Sequence, residues 1–442
     1  MLMRSGRLGA AGRLPTDRKR GSQSPVKMRP VKRAVLDNGL RVFIVRAPEL
    51  PVVSHMIWYT VGSRDERTGE TGLSHFLEHM MFKGTDRYPK GSIDATTARL
   101  GGHNNAFTDH DTTAYYFNLK SDRWHEALAI EASRMRGCLL DDQEFQSEKK
   151  VVLEELSMGE DDEWRPIFQA VESVAFLTHP YHHPVIGWRE DLERLERDTM
   201  VDYYHRHYAP DRAILVLVGD VKPNEALQRI EDMLGPVPAS GRVRPPVLAE
   251  PPQRGERRIV LQSPHQLARL CLCWKGCRIG VPEDPVLDVV SALLGGGKAS
   301  RFYRGLVQGR ELVTMATAQN EARLDPGLFT IYAEAKPGQN PQAIESAILE
   351  EVDRLRDEGP KAAELRRVKK QIATSFFFDL ETVSQQAMRI GRYEASCEDG
   401  WRVLERYPQE LEAITAKDVR DVMKSLMRRD ASSVGWSIPE GA

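Results

Sequence analysis

Gly72-Leu73-Ser74-His75-Phe76-Leu77-Glu78-His79-Met80 has the spacing of a helix that carries chemistry on one face. His75 and His79 are four apart, so their imidazoles project from one side, one turn above the other. Glu78 is three from His75 and borders the same patch. Two neutral imidazoles so placed are half of a tetrahedral Zn²⁺ site, and the adjoining carboxylate can take a proton from a water that the metal acidifies. Phe76 and Leu77 are apolar and can anchor the helix, setting the histidines over a packed wall. The plainer alternative is a helix with two satisfied histidines, since 12 histidines and 64 acidic residues make a chance match conceivable.

A third ligand decides between these, and the chain offers one downstream. Gln143–Gly159 has a helical pattern through Phe145, Val151, Val152 and Leu156. Glu148 and Glu155 are seven apart, two turns on nearly one face. Glu154 is turned about 100° from Glu155, so only one of that adjacent pair can share the face. Glu155 follows His79 by 76 residues, within reach if the two helices pack side by side. An acidic, solvated helix is the competing reading, because Glu160, Asp161, Asp162 and Glu163 continue the charge.

Between these helices lie Ser92–Leu100, expected as a helix capped by Ser92, and the glycine-led extended run Gly101-Gly102-His103-Asn104-Asn105-Ala106-Phe107-Thr108. The strand 112–119 and the amphipathic helix 122–138 follow. Upstream, Val35-Leu36-Asp37-Asn38-Gly39-Leu40-Arg41-Val42 reads as a hairpin with a tight primed turn at Asn-Gly, and 52–60 as a strand. Residues 1–30 are basic and rich in Ser, Gly and Pro, without an apolar run, and are expected to be a disordered lead. Past the acidic helix we expect helices 165–177 and 190–207, a surface loop at His179–Pro184, then strand 213–219 and helix 223–234. The first domain is thus placed at 31–238 and a Pro/Gly/Arg-rich linker at 239–254. The second domain, 255–442, repeats the order without the His-x-x-Glu-His pattern: strands 257–262, 268–274, 312–320, 327–335 and 432–437, with helices 283–294, 300–308, 341–356, 361–378 and 381–392.

At 442 residues, net charge −2 and 41% hydrophobic content, the chain has material for two domains and no general affinity for nucleic acid. No run is apolar enough for a membrane span. The five cysteines are an odd set that suits free thiols, and Cys271 and Cys273 fall on one face of a strand. A cytoplasmic location is expected, or a periplasmic one if an export signal precedes this sequence.

His-x-x-Glu-His inverts the commoner zinc-protease motif, and with its surroundings the chain resembles the pitrilysin-like, or inverted-zincin, metallopeptidases. The resemblance runs from about Val31 to near the C-terminus. It rests on Thr71–Thr85, on Gly101–Thr108 and on Glu148-Lys149-Lys150-Val151-Val152-Leu153-Glu154-Glu155. It implies one Zn²⁺ on His75, His79 and Glu155, with Glu78 as general base and Glu148 as a supporting carboxylate. It assigns Phe76, Asn105, Ala106, Phe107 and Arg301 to substrate binding, the peptide lying extended along the strand around Asn105. The fold implied is α+β: two related αβ domains, each a mostly antiparallel sheet with packed helices, together half of a clam-shell. One departure is informative. Active members usually carry an Arg and a Tyr in the C-terminal half; Arg301 matches the first, but Thr314 stands where the Tyr is expected. The resemblance therefore implies the zinc-bearing subunit of a two-subunit endopeptidase, whose homologous partner supplies the Arg/Tyr pair. A homodimer is the fallback, and a non-catalytic scaffold or peptide-binding subunit is the alternative function.

Overall fold

Residues 28–441 are described by the computed structural model. The N-terminal sheet is built from β1 (Val31–Val35), β2 (Arg41–Arg46), β3 (Val52–Tyr59), β4 (His103–Thr108), β5 (Thr113–Lys120) and β6 (Ala213–Gly219). Their spatial order is β1-β2-β6-β3-β5-β4, antiparallel throughout except for the parallel pair β2–β6. β6 carries seven buried residues in a row, as a strand covered on both faces requires. The Asn38-Gly39 turn does start the sheet, but not as a two-residue primed turn. Only Gly39 takes positive φ; the Gly39 N–H donates to the Leu36 carbonyl, and Leu36 and Leu40 close a three-residue loop. Asn38 has a different task, donating Nδ2–H to the carbonyls of Leu234 and Val237 and pinning the hairpin to a helix end.

The helices of this lobe are α1 (Leu73–Met80), α2 (Ser92–Arg99), α3 (Trp124–Gly137), α4 (Asp142–Glu160), α5 (Arg165–Ala175), α6 (Arg189–Arg194), α7 (Arg197–His207) and α8 (Pro223–Leu234). The single helix expected over 190–207 is broken at Leu195-Glu196, where Leu195 is buried in the core and both residues are extended. Ser92 is the first helical residue of α2 rather than its cap; Gly91, at φ 76°, occupies the cap.

The C-terminal sheet contains β7 (Arg257–Ser263), β8 (Arg269–Lys275), β9 (Val313–Glu321), β10 (Leu328–Ala335) and β11 (Ser432–Pro439), in the order β7-β11-β8-β10-β9. Its only parallel pair is β7–β11. With β1 set aside the two sheets are the same: first strand, last strand, second, fourth, third. The lobes are two copies of one topology, each ending on an unpaired edge, β4 in one and β9 in the other. Six α-helices accompany the second sheet: α9 (Glu283–Gly295), α10 (Pro341–Glu358), α11 (Ala362–Asp379), α12 (Val383–Ser396), α13 (Val403–Ala413) and α14 (Ala416–Leu426). The last two are absent from the sequence reading. Pro408 inside α13 masks its pattern, whereas Thr415 and Asp418 form a reciprocal capping box that marks the start of α14. The helix expected over 300–308 widens to π pitch at Tyr303–Gly309.

The lobes exchange helices. α5, from the N-terminal part of the chain, packs on the C-terminal sheet, where Ile167, Val171 and Ala175 meet Cys271, Cys273 and Tyr332. The two cysteines do share a face, and it is this buried one. α12, from the C-terminal part, covers the N-terminal sheet, so Phe43, Met56, Trp58, Ile214 and Val216 join the core of the other lobe. Two glycines allow the close approach: a Cβ at Gly391 of α12 would lie 2.0 Å from the Trp58 indole nitrogen, and one at Gly435 of β11 would lie 2.3 Å from Val171.

The expected surface loop 179–184 is instead a buried junction between the lobes. His179, Tyr181 and His183 are each at most 4% exposed. The Tyr181 hydroxyl donates to Asp111 at 2.6 Å, His179 Nε2 lies 3.1 Å from Asp325, and Arg64 bridges Asp111 and Asp325. The Pro/Gly/Arg-rich segment has no regular structure, yet it is strapped down: Arg244 pairs with Asp65, and Glu250 accepts the N–H groups of Leu177, Thr178 and His179. The expectation for the N-terminal lead falls, up to residue 27, outside the described residues.

Candidate metal centre

α1 is short, and its position is fixed at its N-terminus. Gly72 takes φ 88° where the backbone crosses the segment 186–187; a Cβ at Gly72 would sit 2.3 Å from the Ile186 carbonyl, and one at Gly187 2.4 Å from that of Thr71. The buried Glu66 carboxylate accepts N–H bonds from Gly72 and Ser74 at 2.8 and 2.7 Å, satisfying donors that a helix leaves open at its start. Burial pushes the Glu66 carboxyl up to about 8 against the pull of those two donors. The Ser74 hydroxyl bonds that of Tyr203 on α7, and Thr71 Oγ1 donates to Asp191 on α6. None of Glu66, Asp191 or Tyr203 stands out in the sequence, because their roles arise from long-range packing.

On the open face of α1 the two histidines meet α4. His75, His79 and Glu155 bring one ligand atom each to within 4.8 Å of one another. Nε2 of His75 is 3.7 Å and Nε2 of His79 3.6 Å from Glu155 Oε2. A tetrahedral Zn²⁺ with bonds of about 2.0–2.1 Å holds its ligand atoms about 3.4 Å apart; Glu155 Oε2 is already near that distance from both imidazoles, and two imidazoles and a carboxylate are donors that ion takes. Burial drives the His75 imidazole down to about 3, which leaves it neutral with a free lone pair. His79 behaves differently. Burial would lower it, but the hydrogen bond and charge of Glu148 raise it, through an Nδ1–Glu148 Oε1 contact of 3.0 Å. With its Nδ1 proton given to Glu148, His79 turns Nε2 toward the ligand cluster. Burial likewise opposes the charge of Glu148, but His79 and Lys83 overcome it and hold that carboxyl low; Lys83 Nζ is 2.5 Å from Glu148 Oε2. Glu148 thus orients the His79 imidazole, in the manner of outer carboxylates around metals, and Lys83 joins this chain of contacts, which spacing alone does not reveal.

Glu78 lies beside the cluster with its pKa raised by burial. The Thr108 hydroxyl donates to its Oε2 at 2.6 Å. That bond ties the metal helix to β4, the edge strand. β4 pairs only with β5, and among the described residues its other edge has no strand partner. Asn105 is exposed, and its Oδ1 accepts the Ala106 N–H at 2.9 Å. Phe107, two residues on and so on the same face of the strand as Asn105, meets Trp58 edge-on at 5.3 Å.

Two of the sequence assignments sit elsewhere. Phe76 is fully buried and stacked on Phe145 at 4.8 Å, so it is a core residue joining α1 to α4 and does not face a substrate. Its helical position, one residue on from His75, turns it to the opposite wall. Arg301 is mostly buried and donates to the Gly359 carbonyl and to Glu364, both at 3.2 Å; none of its hydrogen bonds reaches the metal cluster. Thr314 is exposed on β9 and donates to Glu334 at 2.7 Å.

Two family models match the chain: residues 41–188 match "Insulinase (Peptidase family M16)" and residues 194–372 match "Peptidase M16 inactive domain". The chain belongs to the M16 family of inverted-zincin peptidases. The M16 chain is 28% identical over 400 residues to an uncharacterized zinc protease, YmxG, of Bacillus subtilis, covering 90% of this chain and 96% of that one. It is 29% identical over 373 residues to the zinc protease PqqE of Helicobacter pylori, covering 81% and 82%. The crystal structure of a protease from Helicobacter pylori superposes with a TM-score of 0.90 at 26% identity, covering 93% of this chain and all of that one. The two-lobe arrangement is thus shared with solved M16 relatives, and this chain carries a His/His/Glu cluster able to hold a metal.

Proposed function

We propose that this M16 chain is a zinc-dependent endopeptidase that hydrolyses bonds of unfolded peptides held as an added strand on β4. The observation that carries the reading is the Thr108–Glu78 hydrogen bond, which joins a base beside the ligand cluster to an open strand edge. His75, His79 and Glu155 would hold Zn²⁺, which when bound acidifies water and polarises the carbonyl under attack. Peptide backbone pairing with β4 supplies affinity with little demand on sequence, once Asn105 releases the Ala106 N–H. Thr108 fixes one oxygen of Glu78 and leaves the other to take a proton from the attacking water. The raised pKa of Glu78 makes that carboxylate a better base and a ready acid toward the leaving amine.

The C-terminal lobe supports a divided site. Arg301 is committed to Glu364 and Gly359, and Thr314 is too short to replace a tyrosine. A homologous subunit supplying Arg and Tyr groups completes the reading, with loss of one oxyanion donor costing about two to three orders of magnitude in rate. The test is cleavage of an unstructured peptide library by the zinc-loaded chain, alone and mixed with a homologous chain, with Glu78→Gln as blank. Activity only in the mixture supports the divided site; full activity of the single chain overturns that part. Bound zinc with no cleavage in either would leave a peptide-binding subunit.

A further inference from the structure

The exposed side of α4 carries more than the metal ligand. Val151 and Met158 stand four before and three after Glu155, on the same face, and are 45% and 74% exposed. One turn beyond Glu155 is Gly159, whose missing side chain leaves a seat for Arg165 at the start of α5: a Cβ there would lie 2.4 Å from the guanidinium Nη1 and 2.7 Å from Cδ. Arg165 is itself exposed, and among the described residues its side chain has no ion pair or hydrogen bond, although Glu160, Asp162 and Glu163 lie just before it in sequence. Those carboxylates have other engagements: Glu160 with Arg189, Glu163 with Arg269, and Asp162 with the N–H groups of Trp164 and Arg165. The face thus reads apolar, metal ligand, apolar, cation.

We propose that Arg165 is a specificity-determining residue that receives a carboxylate of the bound peptide beside the Glu155 side of the candidate cluster. Glu155 and Gly159 are about 6 Å apart along the helix, so the guanidinium seated on Gly159 lies about one helical turn from the Glu155 carboxylate. The carboxylate comes from an Asp or Glu side chain or from the peptide's own C-terminus. The inference rests on the proposed reading of the site as a peptide site; binding is therefore measured apart from cleavage.

The zinc-loaded Glu78→Gln chain is titrated with fluorescent peptides that differ only in carrying Glu or Gln at one position, each with a free or an amidated C-terminus. Glu peptides are expected to bind about three- to tenfold more tightly than Gln peptides, the range for an exposed to partly shielded ion pair. If Glu and Gln peptides bind alike and amidation weakens both, the terminal carboxylate is the ligand. Arg165→Ala removes the preference, and Arg165→Glu reverses it toward Lys peptides, with zinc content unchanged. Gly159→Ala, which displaces only the flexible end of Arg165 and favours the helix, has the same effect as Arg165→Ala. A carboxylate preference, for the side chain or for the free terminus, that is unchanged in these variants overturns the proposal, as does equal weakening by Arg165→Ala of peptides with and without that carboxylate. Preserved discrimination in binding with no cleavage by the Glu78 chain would leave Arg165's role standing while the endopeptidase reading falls.

Discussion

Glu148 and Thr108 hold the same short helix but act on different atoms, and substitution separates them. Glu148→Gln removes the charge behind His79 Nδ1 and leaves Lys83 without its partner. Zinc affinity is expected to fall about 10- to 100-fold, the usual cost of losing such a support, read by chelator competition. Thr108→Val touches no ligand. Zinc should stay stoichiometric while kcat falls about tenfold, because Glu78 loses the bond that aims it. The pH profile should move as well. Burial raises Glu78, and the Thr108 bond pulls it back; a base must be ionised to work, so without Thr108 the acid limb of kcat/KM shifts to higher pH. A Thr108→Val enzyme with reduced zinc, or with an unmoved acid limb, would refute this role. At this scale the two histidines and Glu78 were legible because helical periodicity brings residues 75, 78 and 79 to one side of a helix, whereas the choice of Glu155 over Glu154 needed the resemblance. Thr108, Lys83 and Glu66 were not, since each is defined by a contact across the fold. Phe76 packs in the core as the anchor expectation has it, since one step along a helix turns a side chain about 100° from His75.

Among the elements, β8 holds an unusual terminus. Lys275 Nζ donates to the Ala175 carbonyl at 2.6 Å and lies 3.1 Å from the centre of the Phe176 ring. Burial lowers this amine to about 7, with Glu250 and Cys273 opposing and Arg257 and Arg323 adding to the shift. A lysine lowered below its unfolded value of about 10.4 leaves the unfolded chain binding the extra proton between those two limits. Stability should therefore rise with pH from 7 toward 10, by at most about 1.4 kcal/mol per pH unit from this group. Lys275→Met should flatten that slope without orphaning Ala175, whose carbonyl also accepts from Arg257 at 2.6 Å. Urea unfolding at pH 7 and 9 measures it, and equal slopes in the two proteins would remove Lys275 as the cause. Most elements were readable, since strands such as 213–219 and helices such as 223–234 carry their own periodicity and flanking signals. The exceptions have local reasons: a proline within α13, a core leucine breaking 190–207, and a loop at 179–184 whose polar residues are buried only because another lobe covers them.

At the level of the whole molecule, linear order and packing disagree, and stability follows packing. The sequence suggests two domains joined near 239–254, but α5 lies on the C-terminal sheet and α12 on the N-terminal one. Cutting the chain at the linker would strip each sheet of a covering helix and expose Trp58 and Met56 on one side and Cys271 and Cys273 on the other. The exchange was not legible in the sequence, because an amphipathic helix shows that it has a buried face without naming the sheet that buries it. Residues 28–238 and 255–441 made separately should each fail to give a cooperative unfolding transition, while the intact chain should unfold in one. Gly391→Ala tests the same coupling without a cut. Its methyl group would meet the rigid Trp58 indole at 2.0 Å, so α12 must lift from the sheet, at a cost of about 1–3 kcal/mol for such overpacking. Because α12 bridges both cores, the melting temperature of the whole chain should fall as one transition. Two separated transitions, with only the N-terminal one shifted, would show instead that the lobes are independent and that the exchanged helices merely rest on their neighbours.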